Sequence, residues 1–280
     1  MNALEIQNLS KSYPGFTLDH VSFTLPSGCI LGLIGENGAG KTTLIKSILG
    51  MSRKTSGKIK IFDRECEGNL AKIKEDIGVV LDEVGYPGCM TPKQINHVMR
   101  NTYRHWEEEV YFGYLKQLGL PLEKEFKDFS NGMRMKLGIS VALSHHAKLL
   151  ILDEATNGLD PVVRDEVVEI FGEFTRDESH SVLFSSHIVG DLEKICDYIA
   201  FLHQGKLLLF EEKDRLLEEY GMIRCSREQL AELDPQGIKG IKTSAYGVEA
   251  VVRRDKMPSG MVVGPVSMEE LFVYMVKGER

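Results

Sequence analysis

The sequence predicts an α/β protein with a mostly parallel central sheet, an N-terminal antiparallel β subdomain, a helical insertion and a small C-terminal α/β domain. Three observations support this prediction. Strand-length apolar runs alternate with helix-like segments between residues 29 and 220, which is typical of a mostly parallel sheet. Near the N-terminus, apolar and polar residues alternate with a period of two, which indicates an antiparallel ribbon. The pattern changes from about Gly221, so we assign residues 1–220 to one domain and residues 221–280 to another.

The N-terminal subdomain begins with two predicted strands, residues 4–9 and 16–25. A turn at residues 12–15 separates them, and an alternating segment at residues 58–63 is predicted to join the same sheet. Tyr13 lies at the turn. It is either a surface aromatic of the hairpin or a flat ring on which a base can stack.

A glycine-rich loop lies between an apolar run at residues 29–34 and a helix-like segment at residues 44–49. It reads Gly35-Glu36-Asn37-Gly38-Ala39-Gly40-Lys41-Thr42-Thr43, which fits the pattern G-x-x-x-x-G-K-[ST]. The glycines permit positive φ angles, so that backbone N–H groups and the start of a helix face a polyphosphate. We expect Lys41 to contact the β- and γ-phosphates and Thr42 to offer its hydroxyl to Mg²⁺. The loop therefore predicts a P-loop NTPase core. The predicted phosphate-binding residues are Asn37, Gly38, Ala39, Gly40, Lys41, Thr42 and Thr43.

The helical insertion is assigned to residues 91 to about 145. Thr91, Pro92 and Gln94 combine an N-cap, a proline at the first helical position and the third residue of a capping box, so a helix is predicted to start there. Its amphipathic pattern is predicted to continue to Trp106, and a second helix to run from about residue 107 to 118. A third helix opens at residues 129–133 and is apolar on most sides, which predicts that it is buried.

Three polar side chains follow directly after predicted buried strands. Asp153 and Glu154 follow the aliphatic run 149–152, and His187 follows the run 181–186. In sheets of this kind, ligands bind outside the carboxyl ends of the strands, so we expect these groups to meet the glycine-rich loop. Transfer of a phosphoryl group to water requires a metal, charge neutralisation and a positioned nucleophile. We expect Asp153 to hold Mg²⁺ directly or through water, Glu154 to orient or deprotonate the attacking water, and His187 to reach the γ-phosphate.

Composition excludes several classes of function. The chain carries 34 basic and 41 acidic residues, a net charge of −7, which argues against broad binding to DNA or RNA. Its five cysteines are scattered without C-x-x-C spacing, so we expect neither a disulfide framework nor a zinc site, and no metal other than Mg²⁺. Residues 1–9 lack the features of a secretory signal, and no apolar run approaches the roughly 20 residues that span a bilayer. Work at a membrane would therefore require a separate membrane-spanning chain.

Together these motifs resemble the nucleotide-binding subunit of an ABC (ATP-binding cassette) transporter over residues 1 to about 220. The resemblance assigns residues 35–43 to the Walker A loop, residues 149–153 with Glu154 to Walker B, residues 157–160 to the D-loop, and His187 to the switch histidine. It also favours Tyr13 as the platform for adenine. The site would bind ATP and Mg²⁺ and would hydrolyse ATP.

The resemblance further implies a head-to-tail dimer with two ATP molecules between the chains. Each ATP would contact the Walker A loop of one chain and the signature sequence of the other. Here the signature reads Phe129-Ser130-Asn131-Gly132-Met133, where the family usually has L-S-G-G-Q. Ser130 and Gly132 match that pattern, and Asn131 and Met133 depart from it. The expected nucleotide contacts across the dimer are Ser130, Asn131, Gly132 and Asp160.

Asp82 is a second departure from the family. It follows the predicted strand 77–81, at the Q-loop position where the family usually has glutamine. Its carboxylate can still meet Mg²⁺ through water and take part in catalysis, but it is one methylene shorter than glutamine and adds negative charge near the γ-phosphate. We expect altered coupling between nucleotide hydrolysis and transport rather than an inert site.

The partners implied by the resemblance are an integral membrane permease subunit and a second cassette, identical or closely related, at the cytoplasmic face of the membrane. The layout is most similar to bacterial ABC-2-type exporters, which include exporters of peptides, antimicrobial compounds and lipids. The alternatives are a soluble ABC ATPase of the translation or repair type and a small-molecule P-loop kinase. Residues 221–280 are either a dimerisation or regulatory module or a stabilising cap, and we hypothesise that they contribute dimer contacts.

Overall fold

The computed structural model describes residues 1–66, 71–82, 85–244 and 247–278. The chain divides into two compact units, Met1–Phe210 and Glu211–Arg280, whereas the sequence placed the boundary after residue 220. In chain order, the elements of the first unit are β1 (Asn2–Tyr13), β2 (Phe16–Pro26), β3 (Ile30–Ile34), α1 (Lys41–Ile48), β4 (Ser56–Ile61), β5 (Arg64–Glu65), α2 (Ala71–Lys74), β6 (Ile77–Val80), α3 (Pro92–Thr102), α4 (Glu108–Gln117), α5 (Asn131–Ala142), β7 (Leu149–Asp153), α6 (Pro161–Phe174), β8 (Ser181–Ser186), α7 (Val189–Ile195), β9 (Tyr198–His203) and β10 (Lys206–Glu212).

Among the described residues, the strands of the first unit form two sheets. Within the described residues, six strands form one sheet in the order β10-β9-β3-β8-β7-β6, and the pairs β9/β3, β3/β8, β8/β7 and β7/β6 are parallel. The second sheet has the order β2-β1-β4-β5 with antiparallel pairing, so the predicted N-terminal ribbon and its extra strand are confirmed. One cluster of buried side chains includes members from β1, β2, α1 and the face of the parallel sheet. The mostly parallel α/β fold is therefore confirmed.

Sheet order determines where the polar groups meet. β8 lies between β3 and β7, with Leu33 and Asp153 both aligned with Ser185 of β8. The loop after β3, the residue after β7 and the residue after β8 therefore leave three adjacent strands at the same edge.

The helices α3, α4 and α5 share a core of buried side chains, which contains Ile95, Tyr111, Leu115, Phe126, Phe129 and Leu137. Thr91 caps α3 with the predicted capping box. The predicted extension of α3 to Trp106 is wrong, because the helix ends at Thr102 and Tyr103 is extended. Tyr103 leaves the helix to stack on His145 with ring centroids 4.0 Å apart, so aromatic packing replaces the last predicted turn.

The second unit contains α8 (Lys213–Glu219), β11 (Tyr220–Cys225), α9 (Arg227–Ala231), β12 (Ile238–Ser244), β13 (Gly247–Arg253) and α10 (Met268–Lys277). Its strands form an antiparallel sheet in the order β11-β13-β12, and α10 packs against β12 and β13. Packing is close at Gly240, where a Cβ atom would lie only 2.0 Å from the carbonyl oxygen of Tyr274.

The strand-like sequence of residues 260–263 predicts a further strand in this unit, and this prediction is wrong. Gly264 forms one isolated bridge with Met222, and the Arg254 guanidinium donates hydrogen bonds of 2.9 and 2.8 Å to the carbonyls of Val263 and Gly264. The Arg254 side chain therefore bonds the Val263 carbonyl and shares the Gly264 carbonyl with the Met222 N–H of β11, so strand pairing here is limited to this one bridge.

Candidate nucleotide-binding site

The glycine-rich loop joins β3 directly to α1, as its sequence predicts. Gly40 is the N-cap residue of α1 and has a φ of 110°, which glycine adopts without steric cost. There is also no space for a side chain on parts of this loop. A Cβ at Gly35 would lie 2.6 Å from the carbonyl oxygen of Leu202, and one at Gly40 would lie 2.7 Å from the Phe16 ring. The loop is therefore held between Leu202 of β9 and Phe16 of β2.

Lys41 is the first residue of α1, and it is 5% exposed. Its ammonium donates to the carbonyl of Gly35 at 2.7 Å and to that of Glu36 at 3.4 Å. It also lies 3.1 Å from Glu154 Oε1. Two backbone carbonyls of the loop and one carboxylate therefore hold the buried Lys41 ammonium in place.

Glu154 leaves β7 in a left-handed conformation with a φ of 54°, and it is 8% exposed. Its backbone N–H donates to the carbonyl of Ser185 at 3.0 Å, which anchors this turn to β8. Its second carboxylate oxygen, Oε2, lies 2.7 Å from His187 Nδ1 and accepts a 3.3 Å bond from the His187 backbone N–H. The carboxylate is thus held between the lysine of the loop and the histidine after β8.

Asp153 is the last residue of β7 and is 1% exposed. Ser185 donates a 2.6 Å hydrogen bond to its Oδ1. The other carboxylate oxygen, Oδ2, is buried and has no hydrogen-bond partner among the residues that the structure describes. A buried carboxylate oxygen of this kind requires a cation or a donor, and hard oxygen ligands suit Mg²⁺.

A cavity of about 470 Å³ opens in front of the loop. Its lining includes Tyr13, Lys41, Thr42, Asp82 and Glu154. Asn37, Gly38, Gly40 and Thr43 line it as well, and Ala39 lies within the same loop, 4% exposed. Tyr13 is 43% exposed as a residue. Its hydroxyl lies 2.7 Å from Ser52 Oγ, and the Lys11 ammonium lies 4.7 Å from the ring centroid. One cavity thus combines an aromatic ring, a phosphate-type loop and the carboxylates of Glu36, Asp82 and Glu154.

The predicted signature residues lie at a different place. Ser130 is the N-cap of α5, where its hydroxyl accepts a bond of 3.3 Å from the Met133 N–H. A separate cavity of about 400 Å³ is lined by Ser130, Asn131, Gly132 and Asp160, together with Met133, Lys136, Gly158 and Leu159. Asp160 caps α6 by accepting a 3.1 Å bond from the Val163 N–H. Within one chain, these four predicted contacts therefore meet each other but line a cavity distinct from that of Lys41.

The match to known proteins agrees with this geometry. The family model described as ABC transporter matches residues 18–157, half of the chain. The chain belongs to the ABC transporter family. A lantibiotic transport ATP-binding protein, SrtF of Streptococcus pyogenes, is 38% identical over 75% of this chain and 91% of its own length. An uncharacterised ABC transporter ATP-binding protein of Bacillus subtilis, YhcH, is 30% identical over 98% of this chain and 91% of its own length.

A solved structure described as the ATP-binding subunit of an ABC transporter has a TM-score of 0.70 to this chain at 26% identity. It covers 82% of this chain and 93% of its own. This ABC family protein is thus an ATP-binding and ATP-hydrolysing subunit of a transporter. Among the residues that the structure describes, no helix combines the length and the apolar character needed to cross a bilayer.

The sequence reasoning missed two residues of this ABC site. Ser185 orients Asp153, and Phe16 lines the cavity and closes the space above Gly40. A signal existed for Ser185, since it is a polar residue near the end of an otherwise apolar strand. No local signal marked Phe16, because its role depends on the pairing of β1 with β2 and on the approach of the loop.

Proposed function

We propose that this chain binds ATP with Mg²⁺ and hydrolyses it to power a separate membrane-embedded exporter subunit. The observation that carries the proposal is the position of the Glu154 carboxylate, which lies 3.1 Å from Lys41 on one side and 2.7 Å from His187 on the other. This places a buried carboxylate beside the glycine-rich loop, where a general base for water must stand.

The triphosphate would lie along residues 37–43, where backbone N–H groups and the start of α1 attract negative charge. Lys41 would exchange Glu154 for the β- and γ-phosphates, because a polyanion offers its ammonium a stronger partner than one carboxylate. The exposed ring of Tyr13 lines the same cavity and supplies a face for adenine.

The donor set fits Mg²⁺. Asp153 Oδ2 is buried without a hydrogen-bond partner among the described residues, and Thr42 lines the cavity. Thr42 and Asp153 would hold the ion, and Asp82, which also lines the cavity, would meet it through water. When bound, Mg²⁺ neutralises charge on the phosphate oxygens.

Departure of Lys41 toward the phosphates frees one oxygen of Glu154 to accept a proton from water. The other oxygen remains bonded to His187, so the carboxylate keeps its orientation during the exchange. His187 is 40% exposed at its side chain, which leaves its other ring nitrogen free to approach the γ-phosphate. In this proposal nucleotide binding itself releases the base.

A second cassette would complete the site. Ser130, Asn131 and Asp160 are exposed at the ends of α5 and α6, and they line a cavity separate from that of Lys41 in the same chain. In a head-to-tail pair, the N-terminus of α5 of one chain would face the γ-phosphate held by the other. We favour a homodimer, and a pair with a related cassette uses the same geometry.

The membrane partner would be a permease at the cytoplasmic face, because this chain supplies the ATPase and another chain must cross the bilayer. Export is supported by similarity to a protein named for lantibiotic transport. A peptide or another antimicrobial or lipid-like compound is the cargo we favour. The unit Glu211–Arg280 would add contacts between the two cassettes.

Glu154→Gln tests the catalytic proposal. We expect kcat for ATP to fall about 100-fold or more, since general-base catalysis is lost, while binding of ATP persists. Glu169→Gln, on the exposed face of α6, is the matched control and should leave turnover unchanged. Turnover of Glu154→Gln equal to that of wild type would contradict the proposal.

The membrane partner is tested separately by purifying the tagged full-length chain from detergent-solubilised membranes of its own host. We expect an integral membrane protein to be retained at a fixed ratio and to raise the ATPase rate. Recovery of the chain with ribosomes or DNA and with no membrane protein would favour a soluble ABC ATPase instead.

A further inference from the structure

Two charged side chains face each other between α6 and α7 without forming a hydrogen bond. Arg164 lies in the first turn of α6, and Asp191 lies in the first turn of α7, 6% exposed. Arg164 Nε is 3.9 Å from Asp191 Oδ2. Both atoms are buried, and neither has a hydrogen-bond partner within the described ranges of the chain. The Arg164 side chain is 27% exposed and the Asp191 side chain 8%, but a missing bond at the two buried atoms is costly, so this arrangement favours a second, closer one.

Each member of this pair is tied to a different part of the ATPase site. Another nitrogen of Arg164 donates a 3.3 Å bond to the carbonyl of Leu159, in the loop 157–160 that precedes α6. On the other side, the Asp191 N–H donates a 3.3 Å bond to the carbonyl of Ile188, the residue after His187. The pair therefore stands between the loop that carries Asp160 and the turn that carries His187.

Close packing against β3 restricts the movement of α7. α7 packs on β3 so closely that a Cβ at Gly32 would lie 2.8 Å from Cys196 Sγ and 3.4 Å from Leu192 Cβ. Because the helix packs tightly on the sheet, we expect a displacement of Asp191 to move the turn before α7 rather than to bend the helix.

We propose that Arg164 and Asp191 are positioning residues that couple the loop 157–160 to His187. When that loop engages a second cassette across bound nucleotide, α6 shifts and the Arg164–Asp191 pair closes, which sets His187 and Glu154 in place for hydrolysis. This inference rests on the proposed ATPase function. It adds a route by which contact at the dimer seam controls chemistry in the same chain.

The required movement is small. Charge-assisted hydrogen bonds between guanidinium and carboxylate have lengths of about 2.7–2.9 Å, so an approach of about 1 Å satisfies both groups. A displacement of this size at a packed helix contact is typical of switching elements.

The same two helices provide a control. Asp165 and Lys194 also form an ion pair between α6 and α7, but their side chains are 57% and 58% exposed. Exposed pairs contribute little because water screens them. Asp165→Asn and Asp165→Ala therefore remove this exposed ion pair and keep the Lys194 ammonium, which also interacts with Asp191, in place.

The experiment measures kcat and KM for ATP of the full chain carrying Arg164→Gln, Asp191→Asn, both changes together, or Arg164→Lys. We expect each single change to lower kcat about tenfold, with KM within about threefold, because positioning and not binding is lost. The double variant should be no slower than the slower single variant, since one coupled interaction is removed. Arg164→Lys keeps the charge and should retain intermediate activity, and the exposed controls should match wild type.

The inference is overturned if Arg164→Gln and Asp191→Asn keep wild-type kcat. It is also overturned if their losses of kcat add in the double variant and the exposed controls lose as much. If Asp191→Asn does not fold, Arg164→Lys and Arg164→Gln decide by the same criteria. Failure of the proposed function looks different, because wild type would then show no ATP turnover or Glu154→Gln would not reduce it.

Discussion

The glycine-rich loop at residues 35–43 (the phosphate loop) and the signature residues 129–133 (the signature turn) each lead into the N-terminus of a helix, α1 and α5. The two regions differ in how many of their polar side chains have partners within the chain. Around the loop, Lys41 and Glu154 are 5% and 8% exposed and are paired with each other. At the signature turn, Ser130 and Asn131 are exposed. Within the described residues, the hydrogen bond of the Ser130 hydroxyl is a local one, accepted from the Met133 N–H. The loop is preorganised within one chain, whereas the turn presents its donors outward. This difference supports the proposal that a second chain completes each site.

Lys41→Ala should produce the largest loss. It removes the charge that addresses the phosphates and leaves the buried Glu154 carboxylate without its cation, so we expect kcat/KM for ATP to fall about 100-fold or more. Lys46→Ala, on the exposed side of the same helix, is the matched control. Steady-state ATPase assays and ATP binding at equilibrium measure the effect. Near-normal kcat/KM in Lys41→Ala would show that the loop is not the phosphate site.

Ser130→Ala should have the next largest effect. Loss of the N-cap costs about 1 kcal/mol of helix stability, and loss of the donor at the γ-phosphate should lower kcat about tenfold. Ser267 caps α10 with a similar bond of 3.2 Å to the Glu270 N–H, so Ser267→Ala should lose comparable stability and keep full activity. Thermal unfolding and ATPase assays on both variants separate the two effects. If Ser130→Ala is as active as Ser267→Ala, Ser130 does not contact the nucleotide.

Tyr13→Ala should raise KM for ATP about tenfold, because a base–aromatic stack contributes roughly 1–3 kcal/mol. Tyr13→Phe keeps the ring and loses only the contact with Ser52, so its KM should stay near that of wild type. Titration with ATP and with free triphosphate checks the assignment, since triphosphate has no base. An equal loss for both ligands would contradict adenine stacking.

Asp82→Gln should have the smallest effect. Asp82 lies near both the phosphate loop and the signature turn. Asp82 lines the cavity of the phosphate loop and a second cavity that Asn131 also lines. Removing its negative charge should lower KM for ATP about threefold by reducing repulsion of the phosphates. The ratio of partner-stimulated to basal ATPase should change as well. If Asp82→Gln alters neither rate, the expected change in coupling is wrong.

The features of the fold and of the site that lie within a short stretch of sequence were predictable. The loop 35–43 and the capping box at Thr91 depend on neighbours within a few residues, and the structure contains both. Strand order could be anticipated only in outline. The alternation of strands and helices predicted a parallel sheet, and a parallel sheet brings the ends of β3, β7 and β8 to one edge.

The contacts that distinguish the site were not predictable, because they join residues far apart in sequence. The Lys41–Glu154 pair and the left-handed turn at Glu154 depend on β7 and β3 both flanking β8. Likewise, the strand predicted at residues 260–263 is absent where the Arg254 guanidinium donates to the carbonyls of Val263 and Gly264. Local pattern carries no information about such a side-chain contact.

The most direct test of a shared site is a mixing experiment with two inactive chains. Lys41→Ala destroys the phosphate loop, and Ser130→Arg blocks the signature turn, so each variant alone should hydrolyse ATP at background rate. A mixed dimer contains one site in which an intact Lys41 faces an intact Ser130 of the other chain. We predict that mixing the two purified variants restores ATPase activity well above that of either one, and a mixture that stays at background would contradict the account.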